Sequence, residues 1–451
     1  MLPAHPRPRI VSVEDSHQRE STRRSTATVV DDSGTEPPVT LHEPSNRTFV
    51  VVGGGLAGAK IAESLRDRDF DGAIVLLCEE EHLPYERPPL SKEHVAGKKE
   101  LPDFTVQHGD WYRDHHVDVR LGTKATAIDR ERKHVVLPDG STVAYDKLAL
   151  ATGSRSRRPP IRGADAAGVH YLRTIDESDA LIAALAPGSR LAIVGAGWIG
   201  LEIASGARNR DVSVSIVEAS ELPLLAALGK EMGAVFADLH REHGVDFRFG
   251  AKVEEITVSD GRADGVRLGD GTVLPADAVL VAVGAQPNVE IAESAGLSVD
   301  GGVLVNGNLT TSDPDIVAVG DIAAQQHPLL AARVRVEHWA NALNQPAIAA
   351  ATMLGHPEEY TNLPYFFTDQ YDLGMEYVGW APTYSKVVTR GDVAGREFLA
   401  FWLDEENHVL AGMNVNIWDV TDDIKALVAF SGPVDPARLA DPAVALPTLL
   451  P

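Results

Sequence analysis

A single cysteine, Cys78, stands in the 451 residues, so neither an intrachain disulfide nor a redox-active cysteine pair can form; a reducing compartment is compatible with that usage. Long apolar runs are missing too. No stretch approaches the roughly 18 residues of a membrane span, and the N-terminus lacks the compact apolar segment of a secretory signal. A cytoplasmic protein without a membrane partner is expected. Positive charge is scarce: 41 Lys and Arg face 65 Asp and Glu, a formal net charge of −24. Sequence-independent binding to nucleic acid relies on neutralising phosphates with Lys and Arg, so no nucleic-acid partner is expected. The histidines, including the pair His115–His116, lack the spacing and the Cys, Asp or Glu company of a metal site. No metal is expected.

What is present is an ordinary globular composition, 44% hydrophobic and 24% charged, in a chain long enough for about three domains. Residues 1–46 are rich in Pro, Ser, Thr, Arg and Asp without apolar periodicity, and are read as a disordered extension. Order begins at Thr48 with TFVVVGGGLAG, a buried strand entering a glycine turn. The helix that follows places Ile61, Ala62 and Leu65 on one face. A second strand, Ile74 to Leu77, leads to three acids, Glu79 to Glu81, completing a βαβ unit. LAIVGAGWIGLEIA at 191–204 repeats the pattern, with a second strand ending at Glu218. Beyond residue 360, Phe398–Leu403, a turn at Asp404–Asn407 and the alternation of Met413, Val415 and Ile417 with Asn414 and Asn416 read as an antiparallel hairpin in a small α+β domain.

One GxGxxG is weak; two in strand–turn–helix context are not. In the first, Gly53 permits the tight turn, Gly55 lets backbone approach a pyrophosphate and Gly58 lets helix and strand pack closely. The helix N-terminus offers free N–H groups to phosphate. Glu79 lies about twenty residues on, where a carboxylate meets a ribose hydroxyl, with Glu80 the close alternative. In the second turn Gly195, Gly197 and Gly200 precede Glu218. A carboxylate there repels the 2′-phosphate of NADPH by several kcal/mol. At about 1.4 kcal/mol per factor of ten, NADH should be preferred by about a hundredfold or more. Two sites in one chain imply a relay between dinucleotides. Glycine spacing alone does not say which turn holds which.

From Phe49 to Trp418 the chain resembles the FAD-dependent NADH–ferredoxin reductases of oxygenase systems, the putidaredoxin and rhodocoxin reductase group of the apoptosis-inducing factor superfamily. VVGGGLAGAKIAESL, HLPYERPPLSKE, LALATGSRSR, YLRTIDESDAL, GAGWIGLEIA, VAVGAQPN, DIVAVGDIA, RVEHWANALNQ and FFTDQYD carry the match, in this order. The resemblance implies an α/β fold of two Rossmann-like dinucleotide-binding domains, the NAD domain (161–288) inserted in the FAD domain (47–160 and 289–360), with a small C-terminal α+β interface domain (361–451). It assigns FAD to Gly53, Gly55, Gly58 and Glu79, and NADH to the second turn. Arg87 and Lys92 are the implied flavin-contacting cations, Lys92 reaching the reactive ring, where a cation stabilises the charge of reduced flavin. By residue type alone Lys92 could equally be a solvated lysine. Asp176 is the implied acidic partner of Lys92, with Glu177 its neighbour and an ordinary surface acid the plain alternative. Asp321 matches the aspartate that bonds the ribityl chain; a helix N-cap is the alternative. Glu337, His338 and Trp339 match the segment beside the flavin ring, Trp339 as an aromatic wall or plain core. Ala151, Thr152, Gly153 and Gly284 are the implied small-residue crossings, and Glu202 is placed near the nicotinamide.

The implied reaction passes hydride from NADH to FAD and then single electrons to a 2Fe–2S ferredoxin. Arg155, Arg157, Arg158 and Arg162 offer either a docking patch for that acidic partner or a solvated loop. Phe366–Phe367 stands where many ferredoxin reductases carry Phe-Trp, which leaves room for a quinone or other small acceptor. A redox-sensing interaction protein like apoptosis-inducing factor is the non-enzymatic alternative. Cys78 ends the strand before the ribose acid and reads as a small packed hydrophobe.

Overall fold

The computed structural model describes residues 45–451. The extension expected over residues 1–46 lies outside the described residues, apart from Ser45 and Asn46. The first glycine motif sits in a five-stranded parallel sheet ordered Ile316–Ala318, Lys147–Leu150, Thr48–Val52, Ala73–Leu77 and Val117–Arg120. Both neighbours of the central strand are in register at its end, where Val52 faces Leu77 and Leu150. Such strands are buried on both faces, hence the unbroken Phe49–Val52 and Ile74–Leu77 runs. The helix Leu56–Asp67 turns Ile61, Ala62 and Leu65 fully into this core, each Ile or Leu contributing about 1.5–3 kcal/mol of apolar burial.

A second five-stranded parallel sheet, ordered Asp246–Phe249, Ser213–Glu218, Arg190–Val194, Ala278–Val281 and Val169–His170, carries the second motif. Its strands all come from sequence between Leu150 and Ile316, which are adjacent members of the first sheet. The second sheet is therefore an insertion in the first. The chain crosses between them on two short antiparallel strands, Ser154–Ser156 and Ala285–Pro287.

The third module exceeds the expected hairpin. Glu397–Leu403 and Val409–Val415 do pair antiparallel, but within a five-stranded sheet that also contains Tyr365–Gln370, Leu373–Gly379 and Lys386–Asp392. Ile417 falls beyond the strand end at Val415, so the alternation stops one step earlier than its sequence suggests. The helix Thr421–Ala429 covers this sheet with Ile424 and Leu427. Among the described residues no helix is long and apolar enough to cross a membrane, and no group of three or more His, Cys, Asp or Glu could hold a metal ion.

Candidate functional site

The two glycine turns have the same construction. Gly53 holds φ +121°, and a Cβ there would collide with the Ala151 carbonyl; Gly195, at φ +102°, meets the Ala282 carbonyl in the same way. Those positions are closed by their neighbouring strands and admit only glycine. Gly58 and Gly200 are each pressed against the carbonyl of the first glycine of their own turn. Gly55 and Gly197 are the opposite case, because a Cβ on either meets nothing within 4 Å. The protein's own packing does not need glycine there. Each stands at the N-terminus of a helix that has no side-chain cap, where the first N–H groups have no intrahelical partner and can meet an anion.

A cavity of about 790 Å³ opens from the first of these turns, well within the range of cofactor sites. Its lining includes Gly53 and Gly55 with the exposed Glu79, the segment Ala151, Thr152 and Gly153, and the more deeply buried Arg87, Lys92 and Asp321. Trp198, Ile199 and Glu202 reach it from the helix after the second turn, Glu337, His338 and Trp339 from the segment opening the helix Trp339–Leu354, and Phe366 and Phe367 from the C-terminal sheet. Gly58, Gly195, Gly197, Gly200, Glu218 and Gly284 lie outside this lining, although Trp198 directly follows Gly197.

At the inner end Lys92 Nζ donates to Glu202 Oε1 at 2.6 Å, with only 9% of the lysine and 3% of the glutamate side chain exposed. Ser91 and Thr368 hydroxyls also donate to the Glu202 carboxylate, Thr368 at 2.7 Å. The paired Pro88–Pro89 start a single 3₁₀ turn, Pro88–Ser91, that delivers Ser91 and Lys92 inward, since proline at a helix start costs no hydrogen bond. Lys92 Nζ also lies 5.3 Å from the Phe367 ring centre.

The expected Asp176–Lys92 pair is not formed. Asp176 accepts from His82 at 2.9 Å with 75% of its side chain exposed. Glu177 is occupied in a capping box with Thr174 at the start of the helix Ile175–Ala184. Both acids lie in the first turn of this helix, a favourable place for negative charge, and they engage His82 and Thr174 rather than the lysine. Glu202, 110 residues from Lys92 in sequence, is the partner.

Other expected residues take defined partners. Glu79 pairs with Lys124 at 2.7 Å, while Glu80 accepts from Arg87 at 2.6 Å and from the Tyr85 hydroxyl. The Thr152 hydroxyl donates to the Asn288 carbonyl and the Asn288 amide returns a bond to the Thr152 carbonyl, at 2.7 and 2.8 Å. Asp321 is no N-cap. It sits within a 3₁₀ turn, Gly320–Ile322, followed by the strand Ala323–His327 rather than the helix its sequence suggested. Its carboxylate accepts from Ser154 at 2.5 Å and Arg173 at 2.6 Å. The Glu218 carboxylate accepts the backbone N–H groups of Ala196 and Ser220, each at 2.8 Å. Glu337 pairs with Arg335 at 2.5 Å. In the arginine cluster Arg155 pairs with Glu290, Arg162 with Glu255, and Arg158 lies over Tyr171, which favours the loop reading over a free docking patch. Cys78 is buried, and desolvation, then Glu80, pushes its thiol up to about 12.

The cavity suits a flavin dinucleotide. Besides the open space at Gly55, two buried polar atoms on its lining residues, His338 Nδ1 and Arg173 Nε, have no protein partner. Burial pushes the His338 imidazole down to about 4, so it is neutral near pH 7 and presents a polar edge without charge.

Two glycine turns of like construction, one opening into a cavity that the helix after the other reaches with Trp198, Ile199 and the ion-paired Glu202, define an oxidoreductase architecture. Residues 47–345 match the pyridine nucleotide-disulphide oxidoreductase family and residues 365–450 the reductase C-terminal family. The chain belongs to the pyridine nucleotide-disulphide oxidoreductases. It is 40% identical over 404 residues to the ferredoxin–NAD(+) reductase component of the anthranilate 1,2-dioxygenase system of Burkholderia cepacia, covering 89% of this chain and 99% of that protein. It is 39% identical to rhodocoxin reductase of Rhodococcus erythropolis over 78% of this chain and 83% of that protein. The solved covalent putidaredoxin reductase–putidaredoxin complex aligns with a TM-score of 0.87 at 36% identity, covering 90% of this chain and 98% of the other. Despite the family's name, one cysteine excludes disulfide chemistry by a protein cysteine pair here.

Proposed function

We propose that this protein is an FAD-dependent NADH:ferredoxin oxidoreductase, taking hydride from NADH and passing single electrons to a 2Fe–2S ferredoxin. The observation that carries the reading is the buried Lys92–Glu202 pair at the inner end of a cavity walled by all three modules. FAD is assigned to residues 47–160 and 289–360, NADH to 161–288, and the wall on the acceptor side to 361–451. Bound FAD would supply the conversion of one two-electron delivery into two one-electron transfers.

The chain's residues supply position and charge. Gly53, Gly55 and the Leu56–Asp67 helix N-terminus hold pyrophosphate, Glu79 the ribose, and Asp321, Arg87, Glu337, His338 and Trp339 the remainder of the cofactor. Lys92 presents its ammonium where negative charge accumulates on reduction, and Glu202 holds that ammonium in place. Gly195, Gly197 and Gly200 receive the NADH pyrophosphate. Glu218 keeps two lone-pair positions beyond those used by Ala196 and Ser220, enough for ribose hydroxyls. Phe366, Phe367 and Trp198 exclude water from the inner end. A cytoplasmic location, where NADH is supplied, follows from this chemistry.

Anaerobic titration of the flavin-loaded protein with NADH and with NADPH, followed by a 2Fe–2S ferredoxin or a quinone, tests the reading. NADH should bleach the flavin and the ferredoxin should restore its colour catalytically. Bleaching restored by the quinone alone overturns the ferredoxin assignment, and a protein that takes up no flavin overturns the whole.

A further inference from the structure

Behind the Lys92–Glu202 pair runs a second set of buried polar side chains, drawn from the C-terminal strand Tyr365–Gln370 and the helix Leu225–Glu242. Thr368 and Gln370 point to one side of that strand by its period of two. Thr368 Oγ1 bonds Glu202 Oε1 at 2.7 Å, Gln370 Nε2 bonds Thr368 Oγ1 at 3.2 Å, and Gln370 Oε1 meets His240 Nε2 at 2.8 Å. The Tyr371 hydroxyl closes the chain on His240 Nδ1 at 3.3 Å. Gln370 and His240 are fully buried, so each bond is made where a missing partner would be costly.

The direction of every bond follows from the first one. An ionised carboxylate only accepts, so the Thr368 hydroxyl must donate to Glu202. Its oxygen then accepts from the Gln370 amide nitrogen, which turns the Gln370 carbonyl toward His240. His240 must therefore carry its proton on Nε2 and accept from Tyr371 on Nδ1. Burial pushes the His240 imidazole down to about 4, which keeps the ring neutral and leaves a single N–H to place. Four side chains, Thr368, Gln370, His240 and Tyr371, thus point their positive ends one way, toward Glu202.

We propose that Thr368, Gln370 and His240 are positioning residues whose aligned hydrogen bonds hold Glu202 against Lys92 and offset part of its negative charge, so that the C-terminal sheet tunes reduction of the flavin. This rests on the reading that FAD occupies the cavity. The groups facing Glu202 are Lys92 and Ser91 from the loop and Thr368 from the sheet. Those facing His240 are Gln370 and Tyr371, with the Phe247 ring edge-on at 6.1 Å and His243 stacked on Tyr371 at 3.6 Å. Without the chain, Glu202 brings more unscreened negative charge to the site and reduction becomes less favourable.

Thr368→Val removes the hydroxyl and keeps the shape, Thr368→Ser keeps the hydroxyl, and Gln370→Leu cuts one link further out. In the flavin-loaded protein the flavin midpoint potential should fall in Thr368→Val, fall less in Gln370→Leu and stay near wild type in Thr368→Ser. Flavin reduction by NADH should slow about tenfold in Thr368→Val, the effect of one hydrogen bond to a charged group, with KM for NADH within about twofold. Selective ¹⁵N-histidine NMR at pH 7 should show His240 neutral and protonated on Nε2. An unchanged potential in Thr368→Val, an equal fall in Thr368→Ser, or His240 found charged or protonated on Nδ1 overturns the proposal. Should Thr368→Val fail to fold, Gln370→Leu and the histidine tautomer decide it. A wild-type protein that NADH does not reduce refutes the functional reading instead; potentials set by redox dyes and the tautomer still judge the chain.

Discussion

Replacing Lys92 by Met removes the charge and retains most of the aliphatic stem. Glu202, with 3% of its side chain exposed, would keep only the Ser91 and Thr368 hydroxyls. Breaking a buried ion pair by removing one partner costs about 3–5 kcal/mol, because the remaining charge is left uncompensated. Against a native stability of about 5–15 kcal/mol, the variant should fold with its urea midpoint sharply lowered. Lys92→Met combined with Glu202→Gln removes both charges and should return to within about 1–2 kcal/mol of wild type, since neutral replacements of buried pairs are well tolerated. A double-mutant cycle on flavin-loaded and flavin-free protein gives the coupling directly. In the loaded protein Lys92→Met should also slow reduction by NADH by about 10²–10³, the usual loss of one preorganised donor at developing charge. A Lys92→Met protein within about 1 kcal/mol of wild type, or a double variant as unstable as the single, would refute the reasoning.

Glu218 is held by the Ala196 and Ser220 N–H groups and so cannot swing clear of a 2′-phosphate; Glu218→Gln should raise the NADPH-to-NADH ratio of kcat/KM about tenfold or more, and an unmoved ratio in steady-state assays with both nucleotides removes its assignment. Gly55→Ala should fold normally, because its Cβ meets nothing in the protein, yet purify with little flavin; a full flavin absorbance ratio would show that the turn does not cradle the cofactor. With its thiol pushed up to about 12, Cys78 stays protonated at pH 8. Iodoacetamide should therefore label it more than about a hundredfold more slowly in the native than in the denatured protein, and comparable rates would contradict its burial.

Both glycine turns, the helices after them and the strands before them were legible because each is set by residues within a few positions of one another: a φ only glycine tolerates, a 3.6-residue apolar period, an unbroken buried strand. The positions of Glu79 just past the strand Ala73–Leu77 and of Glu218 at the end of Ser213–Glu218 follow from the same local arithmetic, as does Cys78 as a packed residue at a strand end. The C-terminal sheet is legible in the sequence only at the apolar run Phe398–Leu403 and the alternation at Met413 and Val415 across a turn. Tyr365–Gln370 does not look amphipathic, since Phe366 and Phe367 both face the cavity while Thr368 and Gln370 are buried polar groups. The partner of Lys92 was beyond local reading. Asp176 and Glu202 are equally plausible acids by residue type, and the His82 contact that holds Asp176 at a helix start cannot be weighed against a contact spanning 110 residues until the chain is folded. Glu202 wins because the second sheet, inserted within the first, turns its helix toward the 88–92 loop, and because the C-terminal strand closes over the pair with the Thr368 hydroxyl, itself held by the Gln370 amide. Short-range sterics write the two glycine turns into the chain; where charges end up buried, and beside which partners, depends on how three separately encoded sheets meet.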